Sequence, residues 1–192
     1  PKIIAVSKTF KIDHILPLID YGHQNFGENK VQEAIEKWTD IKAKNNKIKL
    51  HLIGKLQTNK VKFAIKLFDY IHSVDNEKLA RKIADEEKKI NKKIKIFIQV
   101  NIGGEEQKSG VQVDRLKSFY TYCKELNLDV IGLMCIPPFN QDPIMYFDEM
   151  QKLSRSHNLK ELSMGMTSDY IEAANKSSTF LRIGSGIFGQ RT

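Results

Sequence analysis

Apolar and polar positions follow two rhythms along this chain. Short apolar runs, each with some β-branched residues, recur at IIAVSK (3–8), QNFGE (24–28), LHLIG (50–54), YIHSV (70–74), KIFIQVN (95–101), VIGLMCI (130–136), ELSMG (161–165) and FLRIG (180–184). Runs this short with β-branched content read as strands. Between them lie stretches of helical period, at 12–20, 30–44, 58–67, 76–91, 112–126, 143–156 and 168–177. In 112–126, Val113, Leu116, Phe119, Tyr120 and Cys123 recur at steps of three and four, which stacks them on one helix face. Asp75 and Asn76 stand where a helix start needs an acceptor for its free N–H groups.

Strands that alternate with helices predict parallel pairing through crossover helices. Eight such strands predict an α/β fold, a single TIM-type (β/α)8 barrel spanning 1–192 as one domain. An open doubly wound sheet is the competing architecture. Only IFGQRT follows the eighth run, so no eighth helix and no second domain are expected after it. The ring is then short by one helix, or that helix lies upstream of a trimmed start, in keeping with the lack of an initiator Met. No internal repeat, Pro-rich linker or low-complexity tract marks a further unit.

In a barrel of this kind the chemistry gathers at the C-terminal ends of the strands. Ser7–Lys8, Glu28–Asn29, Gly54, Ser73–Asp75, Asn101, Met134, Met164–Thr167 and Arg182–Ser185 end these runs and are expected to converge on one mouth. An ammonium at the end of a buried strand is disfavoured by desolvation, and its neutral amine is a nucleophile toward a carbonyl. Lys8 is thus a candidate Schiff-base lysine; the plain alternative is a side chain that snorkels to solvent. Gly184, Gly186 and Gly189 with Ser185 can form an anion nest, and Thr167 and Ser168 supply a second hydroxyl loop; simple turns are the alternative. Arg182 can only donate, so beside a pyridine nitrogen it would keep that nitrogen unprotonated; otherwise it serves a structural salt bridge.

Eight stretches carry a resemblance in order: AVSKT (5–9), FGENKVQEA (26–34), HLIGKLQTNK (51–60), SVD (73–75), VNIGGEEQKSG (100–110), GLMCIPP (132–138), LSMGMTSD (162–169) and RIGSGIFGQR (182–191). On these the chain resembles the YggS/PROSC family of pyridoxal phosphate homeostasis proteins. The resemblance implies a barrel of the alanine racemase N-terminal type that binds pyridoxal 5'-phosphate (PLP). It implies that Lys8 forms the aldimine, that Arg182 contacts the pyridine nitrogen, and that Thr167 contacts the phosphate where Ser is usual. By the same resemblance Ser163, Gly184 and Ser185 complete the phosphate cradle, and Asn29 and Met134 line the cofactor. The family also carries a helix ahead of the first strand, which this sequence lacks. Lys30 stands where an aromatic is common.

Composition adds limits. The chain has 192 residues and a net charge of +8, from 31 Lys and Arg against 23 Asp and Glu. The lysines spread along helical stretches such as EEKKINKKIK and pair with glutamates, so they read as solvated faces and not as a nucleic-acid surface. No apolar run approaches the roughly 18 residues of a membrane span, and no signal peptide is visible. Cys123 and Cys135 form no CxxC pair, and Cys135 lies in an apolar run as a small hydrophobe. A soluble, cytoplasmic monomer is expected. The five histidines show no metal spacing, and His51 reads as a satisfied core residue. Lys55 and Lys60 are candidates to face the mouth, and Glu105 and Lys108 to fix the loop after strand five. The expected function is a non-catalytic PLP carrier that supplies PLP-dependent apo-enzymes, with a weak amino-acid racemase as the alternative.

Overall fold

In the computed structural model, which describes residues 1–190, every predicted strand forms. They are β1 (Lys2–Val6), β2 (Asn25–Glu28), β3 (Lys49–Leu52), β4 (Tyr70–Val74), β5 (Lys95–Gln99), β6 (Asp129–Met134), β7 (Glu161–Met166) and β8 (Phe180–Ile183). All neighbours are parallel, and β1 also pairs with β8, so the sheet closes. That pairing excludes the open doubly wound sheet. Arg191, the last residue of the 182–191 motif, lies outside the described residues.

The helices between them are α1 (Ile12–Asp20), α2 (Val31–Lys44), α3 (Val61–Leu67), α4 (Glu77–Ile90), α5 (Leu116–Glu125), α6 (Pro143–Ser156) and α7 (Tyr170–Asn175). Their starts follow the caps. Asn76 accepts the Leu79 N–H at 2.9 Å, and Asp142 accepts the Ile144 N–H at 3.0 Å ahead of Pro143. An eighth helix, α8 (Ser185–Phe188), follows β8, contrary to the sequence expectation. It needs only one turn: the Ile187 and Phe188 N–H groups both reach the Gly184 carbonyl at 2.9 Å.

Alternation along each strand divides the core in two. The outer layer, between strands and helices, is filled by residues such as Trp38, Ile15, Ile65 and Phe147, all unexposed. The inner layer is a small plug of Ile4, Tyr70, Phe97, Met134 and Phe180. Phe97 meets Phe180 edge-on at 5.6 Å, so the two rings pack together within the plug. Burying one such ring is worth ~2–3 kcal/mol, and Phe97→Ala would cost ~3–5 kcal/mol once its cavity is counted.

Candidate functional site

Above the plug, at the C-terminal rim, lies a cavity of about 430 Å³ lined by Val6, Lys8, Asn29, Ile53, Ile136, Met166, Thr167, Ser168, Arg182, Gly184 and Ser185. Lys8, Asn29, Thr167, Arg182, Gly184 and Ser185, all singled out from the sequence, therefore meet on one wall-lined space. Parity orients the strand that leads to the first of them. Ile4 and Val6 fall on the same face of β1, Ile4 in the plug and Val6 on the cavity, and Lys8 lines the cavity from the turn that follows.

The turn after Lys8 is braced from α2. Thr9 adopts a left-handed backbone at φ 68°, and its N–H is held by Glu33. Lys37 Nζ donates to the Ser7 carbonyl at 2.9 Å, to Glu28 Oε1 at 2.9 Å and to Glu33 Oε1 at 3.0 Å. Glu28, fully buried, also accepts from Ser7 Oγ at 2.7 Å and from Trp38 Nε1 at 2.8 Å. Burial pushes the Glu33 carboxyl up, but the Thr9 N–H and the Lys37 ammonium outweigh it and hold it below its usual value.

The opposite wall is set by glycine. Gly165 takes φ 93°, and a Cβ there would stand 2.5 Å from Ala173 Cβ, so only glycine lets α7 pack against the end of β7. Thr167 and Ser168 follow at the rim. Thr167 Oγ1 lies 3.4 Å from the Gly186 N–H in the first turn of α8, which joins the two hydroxyl-bearing loops. Gly54 lets Asn29 sit close, since a Cβ there would meet the Asn29 carbonyl at 2.4 Å.

Arg182 forms the floor and is only 4 % exposed. Nη1 donates to Ser163 Oγ at 2.7 Å and Nη2 to the Cys135 carbonyl at 2.8 Å. Burial lowers its pKa, though a guanidinium remains charged. Among the described residues no carboxylate comes within ion-pair distance of it, so it is not the structural salt bridge considered from sequence.

Met134 and Ser163 do not line the cavity. Met134 belongs to the plug, and Ser163 has no exposure. They are register partners, and Ser163 is also paired with Phe180, one layer below the rim. Ile136, two residues beyond Met134, takes the rim position instead. Val6, Ile53 and Ile136 were missed, and a count of two from an inward residue on each strand finds them; Met166, within the Met164–Thr167 stretch expected at the mouth, lines the cavity. Lys55 and Lys60 line a separate recess that shares Asn29 with this cavity. Lys108 pairs with Glu105 at 2.9 Å in the loop after β5 and does not reach the cavity. His51 is a satisfied core histidine, with His72 and Asn25 as partners.

A closed parallel barrel with a rim lysine just after the first strand and a buried arginine on the neighbouring last strand defines a protein class. A family model described as "Alanine racemase, N-terminal domain" matches residues 1–192. The chain belongs to that family and, within it, to the YggS/PROSC family of pyridoxal phosphate homeostasis proteins. The "Pyridoxal phosphate homeostasis protein" of Aquifex aeolicus (strain VF5) is 38% identical over 200 residues, covering 99% of this chain and 87% of the relative. PipY of Synechococcus elongatus PCC7942, solved with PLP bound, superposes with a TM-score of 0.88 at 32% identity, covering 97% of this chain and 92% of that one. Alanine racemase of Clostridium difficile 630 shares the fold, with a TM-score of 0.75 at 14% identity, over 99% of this chain and 52% of the racemase.

Proposed function

We propose that this chain binds PLP in the rim cavity and acts in vitamin B6 homeostasis as a carrier without catalytic turnover. The observation that carries the reading is the meeting of Lys8, Arg182 and the Thr167, Ser168 and Ser185 hydroxyls on one cavity of about 430 Å³. The donor set fits the group. PLP supplies an aldehyde that condenses reversibly with an amine, with loss of water, and an aromatic ring able to take up electron density. Lys8 offers the amine. Arg182 keeps guanidinium hydrogens beyond those given to Ser163 and Cys135, and they suit an unprotonated ring nitrogen. Thr167, Ser168, Gly184 and Ser185 suit the phosphate. Val6, Ile53, Ile136 and Met166 supply apolar walls for the ring, and Asn29 a polar one. Ser163 and Met134 support this floor from beneath.

The carrier reading draws support from what the cavity offers a proton. Racemisation needs a base on each face of the Cα–H bond. Among the described lining residues Lys8 is the one side chain with an amine able to act as a base; the rest are apolar or amide side chains, hydroxyls, glycine and a permanently charged arginine. Tyr170 lies in α7 and is not part of the lining. A cation at the ring nitrogen also weakens the ring as an electron sink. The relatives named for homeostasis and the PLP-bound PipY point the same way. The reading extends to a chain that works as one unit over 1–192, as a cytoplasmic monomer, and gives up PLP to PLP-dependent apo-enzymes.

Borohydride reduction of PLP-loaded protein followed by peptide mass spectrometry tests the site. The phosphopyridoxyl group is expected on Lys8, and Lys8→Ala is expected to lose it; full labelling of the variant at another lysine would overturn the assignment. An assay for interconversion of D- and L-alanine tests the carrier reading, which measurable turnover would replace with a weak racemase.

A further inference from the structure

Beneath Arg182 a hydrogen-bonded chain crosses the barrel interior. Asn25 Oδ1, at the start of β2, lies 3.0 Å from His51 Nε2. His51 Nδ1 lies 2.9 Å from His72 Nε2. His72 Nδ1 lies 2.8 Å from Ser163 Oγ, reaching from β4 across to β7. Ser163 Oγ takes the Arg182 Nη1–H at 2.7 Å. His51, His72 and Ser163 have no exposure to solvent. PLP binding as read above makes no use of either histidine.

The arginine dictates where every proton in this chain sits. A guanidinium only donates. Ser163 Oγ therefore accepts from Arg182, and its own hydroxyl proton goes to the acceptor within reach, His72 Nδ1. A bare Nδ1 on a neutral ring leaves the proton on Nε2, where it is donated to His51 Nδ1. His51 then carries Nε2–H and donates to Asn25 Oδ1. In the reversed order Ser163 would face two donors, with its own buried proton left over. Burial and the nearby positive groups hold both imidazoles well below their usual pKa, which suits the neutral forms. Neither ring is free to swing. His51 stacks on Tyr70 at 4.2 Å and 10°, His72 stacks on Phe97 at 4.3 Å and 18°, and Phe180 stands at 87° to His72.

We propose that His72, backed by His51, is a positioning residue that acts through Ser163 to fix the Arg182 guanidinium against the ring nitrogen of bound PLP. The proposal rests on the PLP reading of the cavity. Its physical content is a choice between two ways of holding an arginine. A carboxylate would orient the guanidinium equally well but would cancel its charge. A chain of neutral groups orients it and leaves the charge in place for the ligand. Each link also polarises the next, so the bare His72 Nδ1 makes the Ser163 oxygen a better acceptor for Arg182. Ser163 is thereby assigned to the arginine and not to the phosphate.

Two measurements test this. The first needs no cofactor: nitrogen NMR of histidine-labelled protein should show His51 and His72 as neutral Nε2–H tautomers, unchanged from about pH 5 to about pH 8. An Nδ1–H tautomer or an imidazolium at His72 would overturn the proposal. The second compares His72→Phe, which has no acceptor, with His72→Asn, whose carbonyl can take the place of Nδ1. In PLP-loaded protein, His72→Phe should shift the absorbance of the bound cofactor and speed its release roughly tenfold, about what one lost hydrogen bond is worth, while His72→Asn stays near wild type. In a Ser163→Ala background, His72→Phe should add no further spectral change. An unchanged spectrum in folded His72→Phe, or full additivity with Ser163→Ala, sinks the positioning role alone. Failure of the wild-type protein to take up PLP sinks the PLP reading and the proposal with it, so the two failures are told apart.

Discussion

Ile4 of β1 pairs in register with Arg182 of β8. The pair lies on the inner face of the closing seam. It sets Arg182 at the floor of the cavity, which Lys8 also lines from the turn just past the end of β1. The depth of the guanidinium is thus a consequence of strand register, and the amine is placed by the turn that follows the same strand as Ile4. A slip of one residue would turn Arg182 away from the cavity.

The brace under the Lys8 turn depends on the Glu28 carboxylate. Glu28→Ala leaves the Ser7 hydroxyl, the Trp38 N–H and the Lys37 ammonium without their shared acceptor, Oε1. The expected loss is about 3–5 kcal/mol in urea unfolding. Glu28→Gln should lose clearly less, because a carbonyl oxygen can still occupy the Oε1 position. Equal losses would mean that the hydrogen bonds contribute little beyond shape.

Glu33 makes the same turn sensitive to acid. Its carboxyl is held below the ordinary value of 4.5, so the folded protein binds fewer protons here than the unfolded chain does. The associated stability is present at neutral pH and is lost as the pH falls through the lowered folded-state value. Unfolding free energy measured against pH should decline less steeply in that acid range for Glu33→Gln than for wild type. Parallel curves would remove Glu33 from the account.

Gly165→Ala tests the wall opposite Lys8. The φ of 93° and the 2.5 Å approach to Ala173 Cβ both resist a side chain. A cost above ~1 kcal/mol is expected in thermal melts, because the native backbone does not suit alanine. Weaker PLP binding should accompany it, as Thr167 and Ser168 shift with the strand end. Wild-type stability and affinity together would show that the close packing of α7 is not needed.

Both cysteines should be inert in the native protein. Burial is the main force that pushes each thiol up to about 12, so almost no thiolate exists at neutral pH. Iodoacetamide is expected to add nothing by intact mass until urea is present, after which both sites should react. Labelling of Cys135 in folded protein would reveal an opening of the barrel beside Arg182.

Much of this was legible in the sequence. The apolar runs and helical periods located the strands and helices, because a buried parallel sheet demands both signals at full strength. Lys8 and Arg182 were legible because charged residues are rare at the ends of buried runs. What escaped was depth. Met134 ends an apolar run in the linear reading and Ser163 was placed at the phosphate by resemblance, yet both lie a layer under the rim, a distinction made by strand register and not by composition. The single turn of α8 also escaped, being too short to show a period. His72 was invisible as a functional residue: its partner Ser163 lies on the far side of the barrel, and no local pattern reports a contact across 91 positions.

The seam between β1 and β8 has a bearing on biosynthesis. A ribosome that has released only the earlier strands holds Lys8 without Arg182 or the glycine turn after it, so the proposed cofactor site is incomplete. Such an unfinished polypeptide would offer the amine alone, without the groups proposed for the ring nitrogen and the phosphate. Uptake through the full proposed site would thus wait until translation has passed the last strand and the ring has shut.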